Sequence, residues 1–237
     1  MGYFMGTLPI LFHDETLLVV DKPAGVAVHG GSGIDPSSTL LALLPTAGLT
    51  GWQPAHRLDA ATSGLLVLSN PDGLAAIHAQ FLHGTIDKTY LALVQGGLQP
   101  SSGHFSAPLS RADPADADAG RRKVEATAIG RPATTDYRTV TAWRQASLVS
   151  LTPRTGRTHQ LRVHCRHAGH PIAGDPRYGN ATFNRLMRRR YGLTRLFLHA
   201  AELRLRHPRT GRAVHLESPL PPELAAVVAA LGPAPGG

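Results

Sequence analysis

The chain has 237 residues, 42% of them hydrophobic, enough for one large domain or two closely packed halves. Its single cysteine, Cys165, excludes an intramolecular disulfide framework and fits a reducing compartment, the cytoplasm. A formal charge of +8 and a pI near 10.4 point to a polyanionic partner, nucleic acid ahead of an acidic membrane, because no basic amphipathic helix with exposed aromatics is evident.

The first twenty residues, MGYFMGTLPILFHDETLLVV, lack a basic start followed by a long apolar core, and His13, Asp14 and Glu15 interrupt the apolar run. Neither a signal peptide nor a membrane helix is expected. ILF and LLVVDK read as short strands that end at Pro23 and Gly25, and HGGSG at 29–33 as a flexible loop. GLLVLSN reads as a buried strand. Asn70 then caps a helix with Pro71 at its first position. IDKTYLALVQG is another strand, and residues 110–123, an acidic block followed by a basic one, read as a surface loop.

TTDYRTVTAW and ASLVSLTPR follow as strands. TGRTHQLRVHCRHAGH is expected to turn and become a helix capped by Thr158, with Leu161 and Cys165 on one face and Arg162 elsewhere. LFLHAAELRLRHP and AVHLES are late strands, PELAAVVAAL is a closing helix, and GPAPGG is a frayed tail. Many strands, few helices and no regular βαβ alternation give an α+β class with a mixed, mostly antiparallel sheet and flanking helices. With no repeat and no linker, a single domain over 1–237 is expected, its core at about 10–217.

HRLDAATSGLLVLSN at 56–70 carries the most chemistry. Asp59 stands before an apolar strand, with Arg57 and His56 ahead of it and Thr62, Ser63 and Gly64 behind. A single Asp is most often a solvated turn residue. A partly buried carboxylate held by hydroxyl and backbone donors, and paired with a cation, is instead the environment of a nucleophile or general base. A serine hydrolase built on His56, Asp59 and Ser63 lacks the G-x-S-x-G elbow. A glycosidase would need a second carboxylate in an equally marked context.

In THQLRVHCRHAGH, His159 and His164 are five apart and His164 and His167 three apart, a poor match to zinc-ligand spacing. A basic helix face carrying Arg162 and Arg166, flanked by Arg154 and Arg157 and turned toward a phosphate backbone, accounts better for the composition. GDPRYG and TGRTHQ are glycine-bearing turns, but neither is a P-loop nor a dinucleotide fingerprint.

Taken together, HRLDAATSGLLVLS, LLVVDKPAGVAVHGG, KTYLALVQG, LTPRTGRTHQLRVHCRHAGHPIAGDPRYG and RLFLHAAELRLRHP resemble, in order, the motifs of the RluA-type pseudouridine synthases. AVHGGSG, AGHPIAGDPRYG and RLFLHAAEL resemble most its RluC branch, which acts on large-subunit ribosomal RNA. That branch carries an N-terminal S4-like RNA-binding domain. The present chain opens about nine residues ahead of the catalytic pattern, so a catalytic domain without an S4 domain is expected.

The resemblance implies a sheet with a central RNA-binding cleft and isomerisation of uridine to pseudouridine in RNA. It implies no cofactor and no metal, since no atom is lost and no electron exchanged. It assigns Asp59 to attack at C1′ of the ribose or to abstraction of the 2′ proton. Tyr90 would stack on the base and assist removal of the C5 proton. Arg162 is the cation beside Asp59, with Arg157 as second choice. Leu161 and Leu198 line the uracil pocket, and Arg57 fills the stack vacated by a flipped base or holds a phosphate.

Plain roles compete with these: a strand aromatic for Tyr90, core for the two leucines, a phosphate clamp for Arg162. The expected substrate is 23S ribosomal RNA, with tRNA, or both, as the alternative. A monomer is expected, with no membrane partner. A non-catalytic RNA-binding module and a metal-dependent nuclease are the readings from other classes; chelators would inactivate the second.

Overall fold

The computed structural model describes residues 8–30, 34–111 and 124–233. In chain order the elements are β1 (Ile10–His13), β2 (Leu17–Lys22), α1 (Leu40–Leu43), β3 (Gln53–Pro54), β4 (Ser63–Ser69), α2 (Pro71–Leu82), β5 (Asp87–Gln95), β6 (Ser102–Ser106), β7 (Leu109–Arg111) and β8 (Val124–Ala126). There follow β9 (Thr134–Ala142), β10 (Ala146–Pro153), α3 (Gln160–His167), α4 (Ala181–Tyr191), β11 (Leu198–Arg206), β12 (Ala213–Glu217) and α5 (Pro222–Leu231). The class is α+β, its sheet mostly antiparallel, as the strand-rich pattern implied. The chain packs as two compact units, Met1–Asp87 with Ala200–Ser218, and Lys88–His199 with Pro219–Gly237.

In the first unit the strands run β1-β2-β4-β11, with β12 on β11 and β3 on β4. Leu17 to Val20 and Leu65 to Leu68 are fully or almost fully buried, so β2 and β4 read as unbroken apolar runs rather than alternating ones. Asn70 caps α2 as its position predicted: Oδ1 accepts from the Gly73 N–H at 3.0 Å, with Pro71 in the first turn. Gly64 has φ +110°, and a Cβ there would lie 2.3 Å from the Ala200 carbonyl oxygen. Only glycine lets β4 approach the β11 backbone this closely.

In the second unit the strands run β5-β10-β9-β6, and β7-β8 form a separate two-stranded antiparallel sheet. Leu93, Leu148, Phe183, Met187, Phe197 and Val227 belong to its main core, which receives α4 and α5. Trp143 Nε1 fastens the end of α5 by donating to the Gly232 carbonyl at 2.9 Å.

Three sequence expectations change here. Ser110 and Arg111 belong to β7 rather than to a loop; the rest of the 110–123 stretch lies outside the described residues, as do positions 31–33 of HGGSG and the last four of the tail. The cap of α3 is His159, not Thr158. His159 takes a left-handed φ of 54° and its ring is held by Tyr178, while Thr158 is exposed. Finally, α4 was not anticipated.

Candidate active site

Asp59 occupies the first position of a tight turn: the Thr62 N–H donates to the Asp59 carbonyl at 3.0 Å, and β4 begins one residue later. Asp is favoured at this position of a turn. Leu58, Thr62 and Ser63 are buried around it, while Asp59 itself is half-buried. Arg57, two residues earlier, is exposed.

The turn is clasped from β2 by a lysine that sequence reasoning passed over. Lys22 is fully buried, and its Nζ donates to the carbonyls of Pro23 at 2.8 Å, Val26 at 2.7 Å and Ala60 at 3.2 Å. The Gly25 N–H reaches the same Ala60 carbonyl at 2.8 Å. The DKPAG loop and the backbone next to Asp59 are thus held as one piece. Lys22→Met removes the ammonium and its three charge-assisted hydrogen bonds, leaving the Ala60 carbonyl with only the Gly25 N–H. Loss of charge-assisted hydrogen bonds of this kind should cost about 3 kcal/mol. The check is the urea midpoint at unchanged m-value; a loss below about 1 kcal/mol would show that the clasp contributes little.

His56 is fixed structurally. Its Nε2 accepts the Val67 N–H at 3.0 Å, so that nitrogen cannot take a proton from Ser63, and its ring packs on Phe81 at 5.0 Å. The serine-hydrolase alternative is removed by this bond.

In the second unit Tyr90 lies on β5, buried, opposite Leu151 of β10. Leu161 and Leu198 are buried as well, at the starts of α3 and β11. Arg157 is half-buried in the turn before α3, where its Nε donates to the Pro132 carbonyl at 3.2 Å.

Arg162 departs from the expectation of a solvent-facing basic helix. Residues 160–165 are all buried, and Arg162 forms a bidentate pair with Asp175: Nε to Oδ2 at 2.8 Å and Nη2 to Oδ1 at 2.9 Å. Asp175 Oδ1 also accepts the N–H groups of Arg177 and Tyr178. Burial by itself would raise the Asp175 pKa. The Arg162 hydrogen bond and charge, with the two backbone donors, outweigh it and hold the carboxyl below the usual range. The guanidinium also lies over the Tyr178 ring, 5.0 Å from its centroid.

Asp175, in GDPRYG, is the second marked carboxylate that the sequence did not single out. Its side chain is fully buried and committed to Arg162, which makes it a counterion rather than the second acid of a glycosidase. Gly174 ahead of it has φ +72°, and a Cβ there would lie 2.0 Å from the Arg195 carbonyl oxygen.

Gln160 organises the turn that leads into α3. Its Oε1 accepts the Thr155 hydroxyl at 2.7 Å and the Arg157 N–H at 3.0 Å, and its Nε2 donates to the Thr134 carbonyl and to Thr135 Oγ1. Thr135 is also within 3.0 Å of His164 Nδ1, and His164 Nε2 lies 3.1 Å from the Ala107 carbonyl. The carbonyl can only accept, so Nε2 carries the proton and Nδ1 accepts from Thr135. Burial lowers the His164 pKa, consistent with this neutral tautomer.

The dense histidines therefore serve separate partners: His159 on Tyr178, His164 on Thr135 and Ala107, His170 on the Gln95 carbonyl. Cys165 is buried too, its thiol pushed up to about 12 by burial and then by the Asp175 charge, so it is not a ready ligand or nucleophile. Among the described residues no helix is long and apolar enough to cross a membrane.

Residues 16–167 match the family model described as RNA pseudouridylate synthase. The chain is 43% identical over 225 residues to the ribosomal large subunit pseudouridine synthase C of Pasteurella multocida, covering 94% of this chain and 67% of that protein. It is 44% identical over 218 residues to the protein of the same name from Yersinia pestis, covering 91% and 66%. The chain thus spans about two thirds of the length of these curated relatives. The solved structure of human RNA pseudouridylate synthase domain containing 4 superposes with a TM-score of 0.74 at 29% identity, covering 94% of this chain and 92% of that one. With the Asp59 turn, its Lys22 clasp and the buried arginine of α3 already in view, these matches make the conclusion direct: the chain belongs to the RNA pseudouridylate synthase family.

Proposed function

We propose that this chain isomerises uridine to pseudouridine in large-subunit ribosomal RNA, as a monomer in the cytoplasm. The observation that carries the reading is Asp59, half-buried on a turn closed by Thr62 and clasped by Lys22, inside the sequence HRLDAATSG. The ribosomal substrate is supported by the names of the relatives from Pasteurella multocida and Yersinia pestis. The +8 charge agrees with any RNA partner.

In this reading the Asp59 carboxylate attacks C1′ or takes the 2′ proton; both routes start at the same group. The N1–C1′ bond breaks, the uracil turns, and a C5–C1′ bond forms as the Asp59–C1′ bond is broken or the 2′ proton is returned; the C5 proton leaves while N1 gains one. Atoms and electrons balance, so the reaction calls for no cofactor. Arg162 supplies the positive field that keeps Asp59 ionised, with Arg157 as the second candidate. Tyr90 stacks on the base and assists loss of the C5 proton. Leu161 and Leu198 provide apolar walls for uracil. Arg57, exposed two residues before Asp59, enters the gap left by the flipped nucleotide or holds a phosphate.

The test is chemical mapping of pseudouridines in total RNA from cells with and without the gene. One or more sites missing from large-subunit RNA in the deleted strain is the expected result. A missing tRNA site instead would move the substrate to tRNA. An unchanged map in both RNAs would leave a non-catalytic RNA-binding module as the better reading.

A further inference from the structure

Helix α4, ATFNRLMRRRY, carries four arginines and no Asp or Glu, half of the formal +8 of the whole chain in eleven residues. Its apolar side is fixed by Phe183 and Met187, both buried in the core. At 3.6 residues per turn, Arg185, Arg188 and Arg189 project within about 60° of the direction opposite those two residues. All three are exposed.

Five other arginines among the described residues are matched by carboxylates: Arg154 by Asp136, Arg162 by Asp175, Arg195 by Glu223, Arg204 by Glu202, Arg209 by Glu15. Scattered ones such as Arg138, Arg144 and Arg212 are not, so it is the clustering on one helix face that sets α4 apart. Arg185, Arg188 and Arg189 make no ion pair among the described residues; Arg185 donates only to Thr182 Oγ1 at 3.0 Å. Arg190 turns aside and lies 5.6 Å from the Tyr191 ring centroid.

Like charges three and four residues apart on a helix repel, so this face weakens the helix in isolation. Placement near the C-terminal end offsets part of that through the helix dipole, but this accounts for Arg188 and Arg189 better than for Arg185 in mid-helix. A polyanion laid along the face would relieve the repulsion at all three positions at once. Three guanidinium groups within about 6 Å along the helix axis match adjacent phosphates, which Arg binds in a bidentate manner.

We infer that the Arg185–Arg188–Arg189 face of α4 binds the phosphate backbone of the substrate RNA. It contributes affinity and orientation but no sequence choice. This inference rests on the RNA-modifying function proposed above.

The experiment compares the full chain with Arg185→Gln/Arg188→Gln/Arg189→Gln and with the triple Lys variant. Each is titrated with a labelled RNA hairpin carrying loop uridines, over a range of salt, and assayed on large-subunit RNA from cells lacking the gene. The triple Gln variant should bind the hairpin about tenfold or more weaker near physiological salt, with a log Kd against log salt slope shallower by about 2–3. On ribosomal RNA its KM should rise while kcat stays within about twofold, and the same uridine should be modified. The Lys variant should recover most of the affinity by restoring charge. Thermal melting checks that all three proteins are folded.

Unchanged affinity and slope in a folded Gln variant, beside a wild type that binds and modifies RNA, would overturn this inference alone. Loss of binding to phosphatidylserine vesicles with RNA affinity unchanged would also overturn it, and would assign the face to a membrane. A wild type that neither binds nor modifies RNA would bring down the proposed function and this inference together.

Discussion

Asp59→Asn should abolish isomerisation while the protein folds and binds RNA as before. The amide has the same shape but neither attacks C1′ nor accepts the 2′ proton, so no partial route is left to it. Removal of a positioned carboxylate base or nucleophile should reduce the single-turnover rate by more than about 10³-fold. The fold should tolerate the change because the turn at 59–62 is closed by the Asp59 backbone carbonyl, which the substitution keeps, and Asn is equally suited to the first turn position. A stability change within about 1 kcal/mol is expected for a half-buried turn residue. Tritium release from RNA labelled at uridine C5 measures the reaction, and filter binding measures the complex. Residual turnover within tenfold of wild type, in a folded and RNA-binding protein, would remove Asp59 from the chemistry.

What was legible in the sequence was what local patterning carries. The run GLLVLS gave β4, Asn70-Pro71 gave the start of α2, and the Asp59 turn stood out because a carboxylate interrupts apolar surroundings. Helix α4 was missed although its signals are present. Asn180 caps it through the Thr182 and Phe183 N–H groups, Phe183 and Met187 are spaced four apart, and Gly192 ends it with φ +72°. Four arginines hid that apolar stripe, because mean polarity reads as loop when only two or three positions face the core.

Lys22 and Asp175 were missed for a different reason. A charged residue in a strand or glycine turn reads as solvent-facing, and only tertiary packing brings three carbonyls to Lys22 and a guanidinium from thirteen residues away to Asp175. The same non-local pairing buried Arg162, which helical spacing alone had left on a basic outer face. His159 entered α3 in a left-handed conformation that no propensity for Thr158 as a cap could foresee; the Tyr178 hydroxyl beside its ring comes from nineteen residues further on.

Arg162→Met should lose both stability and rate, and restoring the stability alone separates a structural from a catalytic role. In the native protein the Asp175 carboxyl is held below its ordinary range. Its contribution to stability is therefore fully present above the unfolded carboxylate pKa and is lost as pH falls through the folded value. Methionine leaves Asp175 buried without its guanidinium, and breaking a buried pair from one side should cost about 3–5 kcal/mol. Burial then raises the Asp175 pKa above the unfolded value, so the loss is greatest at neutral pH and above, and eases as pH falls.

If Arg162 also serves the reaction at Asp59, its removal should lower single-turnover rates by about 10²-fold or more at neutral pH. Arg57→Lys keeps a cation near the flipped nucleotide and should lose less. Adding Asp175→Asn to Arg162→Met removes the unpaired charge and should restore much of the stability, but none of the rate if Arg162 serves the chemistry. A double variant that regains activity along with stability would make the Arg162–Asp175 pair purely structural. Near-normal neutral-pH turnover in the single Met variant would pass the role beside Asp59 to Arg157.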